Sequence, residues 1–259
     1  MEDELRILSL NCQKGYQFSL WEFLKTTLNS NVYDFMILQE ATENVITFIK
    51  SNSIQYCILQ LKNEKSDSLS HLSIVFRKKF ETVDSKLFTF ENFLSKNNLT
   101  RPEFGLLIGT FRMDKSTLSI GSIHLSSGLN YKRREKELHY SKQRILEYNK
   151  TKSLFTLGGD FNSALPWENA INKKLMIPQF VNCSLGSGPT CNSSYVEPVN
   201  LLNRLAISLA KFGINFQFKL DHIYLDMITT VLYTTKCILK KNRVSDHNPL
   251  EVLIYKRIQ

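Results

Sequence analysis

Several polar residues in this chain are of the types that carry out hydrolysis, and most of them follow directly after an apolar run. They are Asn11, Glu40, His124, Asp160, Asn162, Asp221, Asp246 and His247. Apolar runs of this length are typical of buried strands, so we expect several strands to deliver these side chains to one rim of a folded domain. Carboxylates and imidazoles gathered at one rim are typical of a metal-assisted hydrolytic site.

Asp160 and Asn162 follow the predicted strand 153–157 and a pair of glycines. The glycines would let the backbone turn sharply, and side chains two residues apart in an extended segment point to the same side. A carboxylate and a carboxamide placed in this way could hold a water and a phosphoryl oxygen together. The alternative is an Asx-turn, in which both side chains bond only to local backbone groups.

Glu40 stands at the end of the apolar run 35–39. A carboxylate at the mouth of a buried strand suits magnesium, which takes one or two carboxylates together with waters and substrate phosphate. The alternative is an acid at the start of a helix predicted over 41–50, where the helix dipole favours negative charge.

The motif 245–249 precedes the last predicted strand and contains Asp246 and His247. His247 could pair with Asp221, which would orient the imidazole ring and raise its basicity. The alternative is a polar turn. His124 ends another predicted strand, where a single histidine is commonly structural, with its hydrogen bonds satisfied.

Apolar periodicity places these residues among alternating helices and strands. Helices are predicted at 18–29, 41–50, 131–148 and 201–212. Strands are predicted at 5–12, 33–39, 56–61, 71–77, 104–113, 117–125, 153–157, 220–225 and 250–255, with irregular structure over 162–200. No repeat or break in composition divides the chain, so we expect one α/β domain spanning 1–259.

The net charge of +9 favours an anionic partner, which could be nucleic acid, a phosphorylated small molecule or an acidic membrane surface. The basic run 240–243 lies just before the motif at 245–249 and could attract phosphates; alternatively it is a solvated face.

The five cysteines are an odd number without a Cys-x-x-Cys pair, which indicates reduced thiols in an intracellular protein, although Cys183 and Cys191 are close enough in sequence to pair.

The acidic start of the chain has no apolar segment typical of a signal peptide, and no run of 18 apolar residues predicts a transmembrane helix. We expect an intracellular monomer.

Taken in order, these motifs resemble those of the endonuclease/exonuclease/phosphatase superfamily, which has the deoxyribonuclease-I-like fold. The resemblance spans residues 8–252 and is strongest at 159–162 and 245–249. It implies a four-layered α/β/β/α sandwich, with two packed mixed β-sheets flanked by helices. It also implies hydrolysis of phosphate esters with Mg²⁺, or with Mn²⁺ as the alternative metal. The stretch 123–128, followed by Arg133, Arg134 and Gln143, is similar to the tyrosyl-DNA phosphodiesterase branch.

The resemblance implies roles on the metal side and on the water side of the site. Glu40 resembles the principal metal ligand, with Asn11 beside it and Asp246 as a second carboxylate. Asp160 resembles the group that positions or deprotonates the attacking water, and Asn162 a carboxamide that contacts phosphate.

The remaining residues resemble groups that face the scissile phosphate. Asp221 and His247 match an Asp–His pair, and His124 matches a phosphate-contacting residue at a strand end. The leading hypothesis is a nuclease or DNA-end phosphodiesterase that directs in-line attack of water. Alternatives are a phosphatase or phosphodiesterase for a phospholipid, phosphoinositide or nucleotide, and a non-catalytic binding module that shares the fold.

Overall fold

In a computed structural model of the chain, the fold consists of strands that alternate with a few helices. The structure describes residues 4–62, 69–90, 104–113, 116–127, 131–149, 154–163, 172, 174–176, 178–184, 187, 189–192, 217–239, 244–245 and 247–256. The predicted helix at 201–212, the basic run 240–243 and Asp246 lie outside these residues.

The described helices and strands follow one another closely. They are β1 (Glu4–Asn11), a 3₁₀ turn (Gln13–Gly15), α1 (Phe18–Ser30), β2 (Phe35–Gln39), α2 (Glu43–Asn52), β3 (Tyr56–Leu59), β4 (Ser73–Arg77), β5 (Glu81–Thr89), β6 (Gly105–Met113), β7 (Ser116–His124), α3 (Tyr131–Tyr148), β8 (Leu154–Asp160), β9 (Phe180–Asn182), β10 (Cys191–Asn192), β11 (Gln217–Phe218), β12 (Asp221–Asp226), α4 (Met227–Leu232), β13 (Tyr233–Leu239) and β14 (Leu250–Lys256).

Two six-stranded mixed sheets organise the part of the chain that the structure describes. The first sheet has the strand order β13-β14-β1-β2-β4-β3, and the second has the order β5-β6-β7-β8-β12-β9. Each sheet contains one parallel pair, β1 with β2 and β7 with β8. A parallel pair needs a crossover connection, and α1 and α3 lie within these two crossovers.

Alternation along the strands builds three apolar layers. In β1, Ile7 faces the core between the two sheets, whereas Leu8 faces the layer beneath α1 and α2. On the far side, Leu138 and Ile145 of α3 pack against the outer face of the second sheet. The order of layers is therefore helix, sheet, sheet, helix, which confirms the predicted four-layered sandwich. No helix in the described ranges is long and apolar enough to cross a membrane.

The strand directions explain why the polar motifs meet. The carboxyl ends of β1 and β2 lie side by side in one sheet, and those of β7 and β8 lie side by side in the other. The strand β12 runs antiparallel to β8, so it begins at that same edge, with Asp221 opposite Asp160. The strand β14 likewise begins there, because it is antiparallel to β1.

The structure differs from the predicted elements at several points. The helix α2 begins at Glu43 rather than at 41, and β8 continues to Asp160 rather than ending at 157. The edge strands β5 and β13 were not predicted, and β9 and β10 form short strands within a stretch predicted to be irregular. Most of β5 is solvent-exposed, and its sequence has no continuous apolar run of the kind from which the central strands were predicted.

Candidate active site

Asp160 lies at the centre of a cluster that both sheets contribute to. Its Oδ2 accepts a hydrogen bond from Asn11 Nδ2 at 3.0 Å. The same oxygen is 3.5 Å from His124 Nε2 and 3.7 Å from His247 Nε2. Three groups from distant segments of the sequence therefore converge on one carboxylate oxygen.

Two glycines before Asp160 allow this convergence. Gly159 has φ +151°, and a Cβ added there would lie 1.9 Å from the carbonyl oxygen of Ile123. A Cβ on Gly158 would lie 2.9 Å from Cδ1 of Ile37 in the opposite sheet. The glycines were predicted to turn the chain; instead they lie within β8 and let that strand approach both β7 and the first sheet.

The Asp160 side chain also makes the local bond that the Asx-turn interpretation requires. The backbone N–H of Asn162 donates to Asp160 Oδ1 at 2.7 Å, and Asn162 itself has φ +49°. The Asn162 side chain donates from Nδ2 to the carbonyl of Leu125 at 2.8 Å. Because the hydrogen bond from the Asn162 backbone N–H occupies only Asp160 Oδ1, Asp160 Oδ2 still faces the cluster.

Glu40 is the acidic group of the cluster that is most open to solvent. Its side chain is 21% exposed, against 2% for Asp160. Its backbone has φ +50°, and α2 begins only after the N-cap residue Thr42, so Glu40 does not lie in the helical first turn. Glu40 Oε1 is 3.4 Å from Asn11 Nδ2 and 3.9 Å from His124 Nε2.

Asn11 presents its amide N–H₂ group to both carboxylates. The orientation of the carboxamide is fixed by its oxygen, which accepts the backbone N–H of Gln13 at 2.9 Å. Asn11 Nδ2 therefore donates toward Glu40 and Asp160 and holds them on the same side of the rim.

Asp221 and His247 form the predicted pair, with Nδ1 of the ring 2.7 Å from Asp221 Oδ2. Burial favours the neutral form of Asp221, but the adjacent His247 outweighs this effect and keeps the pKa of Asp221 below its ordinary value. An ionised carboxylate only accepts hydrogen bonds, so the proton between the two groups belongs to Nδ1. This leaves His247 Nε2 directed at Asp160.

Two hydroxyl groups that were not among the predicted site residues hold this pair in place. Ser245 Oγ accepts the backbone N–H of His247 at 3.0 Å and donates to the carbonyl of Asn11 at 2.8 Å. Thr190 Oγ1 accepts the backbone N–H of Asp221 at 3.0 Å. Thr190 lies in the stretch predicted to be irregular, and no neighbouring residue type marks it as part of the site.

Asp160 is electrostatically different from Asp221. Its pKa is raised, chiefly because burial disfavours the charged form and also because Asp221 is negatively charged nearby. The histidines His247 and His124 act in the opposite direction without reversing the shift. A carboxylate with a raised pKa is a stronger proton acceptor than an ordinary aspartate.

His222 lies next to Asp221 in β12 but points to the opposite face of the sheet. Its Nδ1 is 3.0 Å from Asn182 Nδ2, and its ring packs edge-on against Phe161 at a centroid distance of 5.4 Å. Burial, assisted by the positive charge of Lys219, lowers the pKa of His222 to about 3. His222 is therefore a neutral residue that supports the strand rather than a member of the cluster.

No protein-family model matches this sequence, and no curated protein matches it. The structure is similar to D. rerio TDP2 complexed with a single-strand DNA product, with a TM-score of 0.75 and 20% identity over 98% of this chain and 100% of that chain. This chain has the deoxyribonuclease-I-like fold.

Two bacterial proteins with this fold are also similar over nearly their whole length. An endonuclease/exonuclease/phosphatase protein from Bacteroides vulgatus has a TM-score of 0.72 and 12% identity, with 99% of this chain and 100% of that chain covered. A mannosyl-6-phosphatase from Bacteroides thetaiotaomicron has a TM-score of 0.69 and 14% identity, with coverages of 97% and 100%. The fold that the motifs predicted by resemblance is therefore confirmed.

Proposed function

We propose that this chain is a metal-dependent phosphodiesterase that hydrolyses nucleic acid, with DNA or DNA ends as the first candidate substrate. The observation that carries the proposal is the convergence of three groups on Asp160 Oδ2, beside the Asp221–His247 hydrogen bond. A proton acceptor flanked by two imidazoles, one of them oriented by a carboxylate, is suited to activating a water next to a phosphate.

Each residue of the cluster has a definite part in this reaction. Asp160 positions the attacking water and accepts its proton at Oδ2. His124 and His247 turn their Nε2 atoms to the same spot, where they would contact the non-bridging oxygens of the phosphate. Asn11 holds Asp160 in place, and Asn162 lies at the same rim, where we propose a phosphate contact.

Glu40 fits the requirements of a magnesium ligand. Its carboxyl group lies at the open side of the cluster and is partly exposed, so waters and a substrate phosphate could complete the coordination shell. A bound Mg²⁺ or Mn²⁺ would neutralise phosphate charge and stabilise the attacking and leaving oxygens. We propose Glu40 as the principal ligand, with Asn11 beside it and Asp246 as a second carboxylate.

A second grouping could also hold a metal ion. Asp160, Asp221 and His247 offer ligand atoms that all lie within 4.8 Å of one another. However, the Asp221–His247 hydrogen bond already occupies two of these groups, and all three are buried. A role in proton transfer agrees better with these contacts than a role in coordination.

Removing the metal or Glu40 is expected to abolish most of the hydrolysis. Loss of a partner that only supports a metal ligand typically costs about 10–100-fold, so Glu40→Gln should cost about 10²-fold or more. Calorimetric titration with Mg²⁺ or Mn²⁺ should show weakened binding by the same variant. Glu43→Gln is the matched control, because Glu43 is an exposed acid in the first turn of α2. Hydrolysis that continues in excess chelator would contradict the metal requirement.

The choice of nucleic acid rests on charge and on one structural neighbour. The net charge of +9 favours a polyanion, and the D. rerio TDP2 structure contains a single-strand DNA product. The mannosyl-6-phosphatase neighbour favours a second candidate, a phosphatase for a small phosphorylated molecule. The fold accommodates both, so the substrate has to be decided by experiment.

A panel of substrates with Mg²⁺ separates these candidates. It should contain duplex DNA, abasic DNA, 5′-tyrosyl DNA, RNA, a phosphoinositide, sphingomyelin and a sugar phosphate. We expect kcat/KM to be highest for one of the nucleic acids. A preference for the sugar phosphate or a lipid would support the second candidate, and binding without hydrolysis of any substrate would support a non-catalytic binding module.

A polar link between the sheets is expected to set the spacing of Glu40 and His124. Ser122 Oγ donates to the carbonyl of Leu38 in the opposite sheet at 3.1 Å and accepts a hydrogen bond from Gln39 Nε2 at 3.3 Å. Gln39 directly precedes Glu40, and Ser122 lies two residues before His124. The link therefore fixes the strand ends that carry both site residues.

Removing this hydroxyl should reduce activity more than stability. Ser122→Ala loses hydrogen bonds worth about 1 kcal/mol each, but we expect kcat to fall about 10-fold because small displacements of reacting groups are costly. Ser73→Ala is the matched control: Ser73 is also fully buried, and its Oγ has no hydrogen-bond partner among the described residues. Equal kcat in the two variants would show that the link does not position the site.

A further inference from the structure

Two exposed aromatic residues lie in the β1–α1 connection, which comprises residues 12–18. Tyr16 precedes α1 and Phe18 is the first residue of that helix. Tyr16 is 64% exposed and Phe18 is 75% exposed, which makes them the two most exposed aromatic residues in the part of the chain that the structure describes. Single exposed apolar residues are common on protein surfaces, so the position of this pair beside the catalytic cluster is what distinguishes it.

The periodicity of α1 explains why Phe18 is not buried. The helix directs Leu20, Leu24 and Leu28 into the core, and these residues are spaced four apart. At about 3.6 residues per turn, a residue two positions before Leu20 lies on the opposite side of the helix. The ring of Phe18 therefore belongs to the surface of the protein and is available to contact another molecule.

A tight turn holds Tyr16 close to the cluster residue Asn11. The side-chain oxygen of Asn11 accepts the backbone N–H of Gln13 at 2.9 Å, and the carbonyl of Gln13 accepts the backbone N–H of Tyr16 at 3.1 Å. The N–H of Gly15 also donates to the carbonyl of Cys12 at 2.9 Å. Two consecutive hydrogen bonds therefore connect the backbone of Tyr16 to a side chain of the candidate active site.

The β1–α1 connection is also held on both of its flanks. On one side, Thr42 Oγ1 donates to the carbonyl of Lys14 at 3.2 Å, two residues after the proposed metal ligand Glu40. On the other side, Ser19 Oγ donates to the carbonyl of Val244 at 3.1 Å, directly before the motif that carries the proposed catalytic histidine. The connection therefore lies at the rim of the cluster and touches the segments of both groups.

We propose that Tyr16 and Phe18 form a stacking surface for unpaired bases of a nucleic acid whose phosphate lies at Asp160. The proposal rests on the proposed function and names the form of its substrate, a single strand or an unpaired end. Bases in a duplex stack on one another, whereas unpaired bases can stack on aromatic side chains. This contact tolerates any sequence, because every base has a π-face.

Charge and size favour a single strand over a membrane as the occupant. Lys14 belongs to the same connection, and the chain carries a net charge of +9. Basic residues that follow phosphates, together with rings that stack on bases, are the usual means of binding a single strand. Membrane binding scales with the apolar area that is buried, and two rings offer little of it, whereas one ring is enough to stack one base.

Fluorescence anisotropy with two labelled probes tests the proposal directly. One probe is a single-stranded oligothymidylate, and the other is an abasic strand of the same length with the same number of phosphates. Asp160→Asn serves as the non-hydrolysing background, so that the result does not depend on turnover. We expect the base-containing probe to bind at least about 10-fold more tightly than the abasic probe, because only the former can stack.

Variants of the two aromatic residues locate the effect. Tyr16→Ala and Phe18→Ala should each weaken binding of oligothymidylate about 5-fold or more and leave binding of the abasic probe within about twofold. Tyr16→Phe keeps the ring and should bind like the parent protein. Ile54→Ala is the matched control, because Ile54 is 79% exposed and precedes β3, which begins at the edge of the sheet opposite the rim.

Three outcomes would overturn the stacking surface. The first is equal binding of the two probes, and the second is an equal loss of both probes in the alanine variants, which would indicate a phosphate contact or a structural effect. The third is tight binding to phosphatidylserine vesicles that both alanine variants abolish while binding of oligothymidylate is kept, which would assign the rings to a membrane.

Turnover separates this proposal from the proposed function. In the otherwise wild-type protein with Mg²⁺, Tyr16→Ala and Phe18→Ala should lower kcat/KM for a single strand but leave kcat for a small chromogenic phosphodiester unchanged. Oligonucleotide hydrolysis that neither variant alters would overturn the stacking surface while the proposed function stands. Base-dependent binding that both variants weaken, in a protein that hydrolyses no nucleic acid, would support the stacking surface and refute the proposed hydrolysis.

Discussion

Replacing Asp160 by asparagine is expected to lower kcat by about 10²–10⁴-fold, the usual contribution of a general base. The substitution keeps an oxygen that can accept the N–H of Asn162, so the local turn survives. It removes the negative charge that faces His124 and His247, and with it the group that takes the proton of the attacking water. Tm should change little, because the lost charge is one that burial already disfavours.

The measurement compares kcat and thermal unfolding in two aspartate variants, with a small chromogenic phosphodiester as substrate. Asp226→Asn is the matched control, because Asp226 is also buried and its pKa is also raised by burial. Its Oδ1 accepts the N–H of Thr229 at 2.6 Å and caps α4, so the control should lower Tm slightly and leave kcat unchanged. A wild-type kcat in Asp160→Asn would refute the catalytic role, and a large loss of Tm would indicate a structural role.

The raised pKa of Asp160 gives this prediction a pH dependence with a definite sign. A general base works only when it is deprotonated, so activity falls as the pH is lowered through its pKa. Because burial raises that pKa, the acidic limb of kcat/KM should lie above the pKa of an ordinary aspartate. Asp160→Asn should remove this limb from the residual activity.

The sequence was most informative where a single segment determines its own structure. The predicted helix at 131–148 has those bounds in the structure, because the periodic apolar positions Leu138 and Ile145 are local features of that segment. The strand-end placement of Asn11 and Glu40 could be predicted for the same reason, because an apolar run marks each buried strand.

Apolar patterns within single segments could not predict the contacts between distant segments. The close approach of Gly159 to Ile123 and the hydroxyl of Thr190 beneath Asp221 depend on pairings between strands that no local periodicity encodes. The left-handed backbone of Glu40, which lies just before the start of α2, is likewise not marked by any local apolar pattern. The Asp221–His247 pair was predictable only because both members lie in recognisable motifs.

Breaking the Asp221–His247 pair from either side is expected to give similar losses that do not multiply. Asp221 acts through the ring: it holds the proton on Nδ1 and leaves Nε2 facing Asp160. Asp221→Asn and His247→Ala should therefore each lower kcat by about 10²-fold or more. The double variant should be scarcely worse than His247→Ala alone, since residues that act as a unit are not additive.

A double-mutant cycle with parallel unfolding measurements distinguishes this coupling from simple loss of structure. His222→Gln is the control, because His222 is equally buried on the same strand but faces Asn182 and Phe161 rather than the cluster. It should lower Tm while kcat stays within a few-fold of the wild type. Multiplicative losses in the cycle would mean that Asp221 and His247 work separately. A loss of kcat that parallels the loss of Tm in both single variants and the double variant would mean that the pair only supports the fold. Strong coupling at an unchanged Tm would instead assign Asp221 to orienting the His247 ring during the reaction.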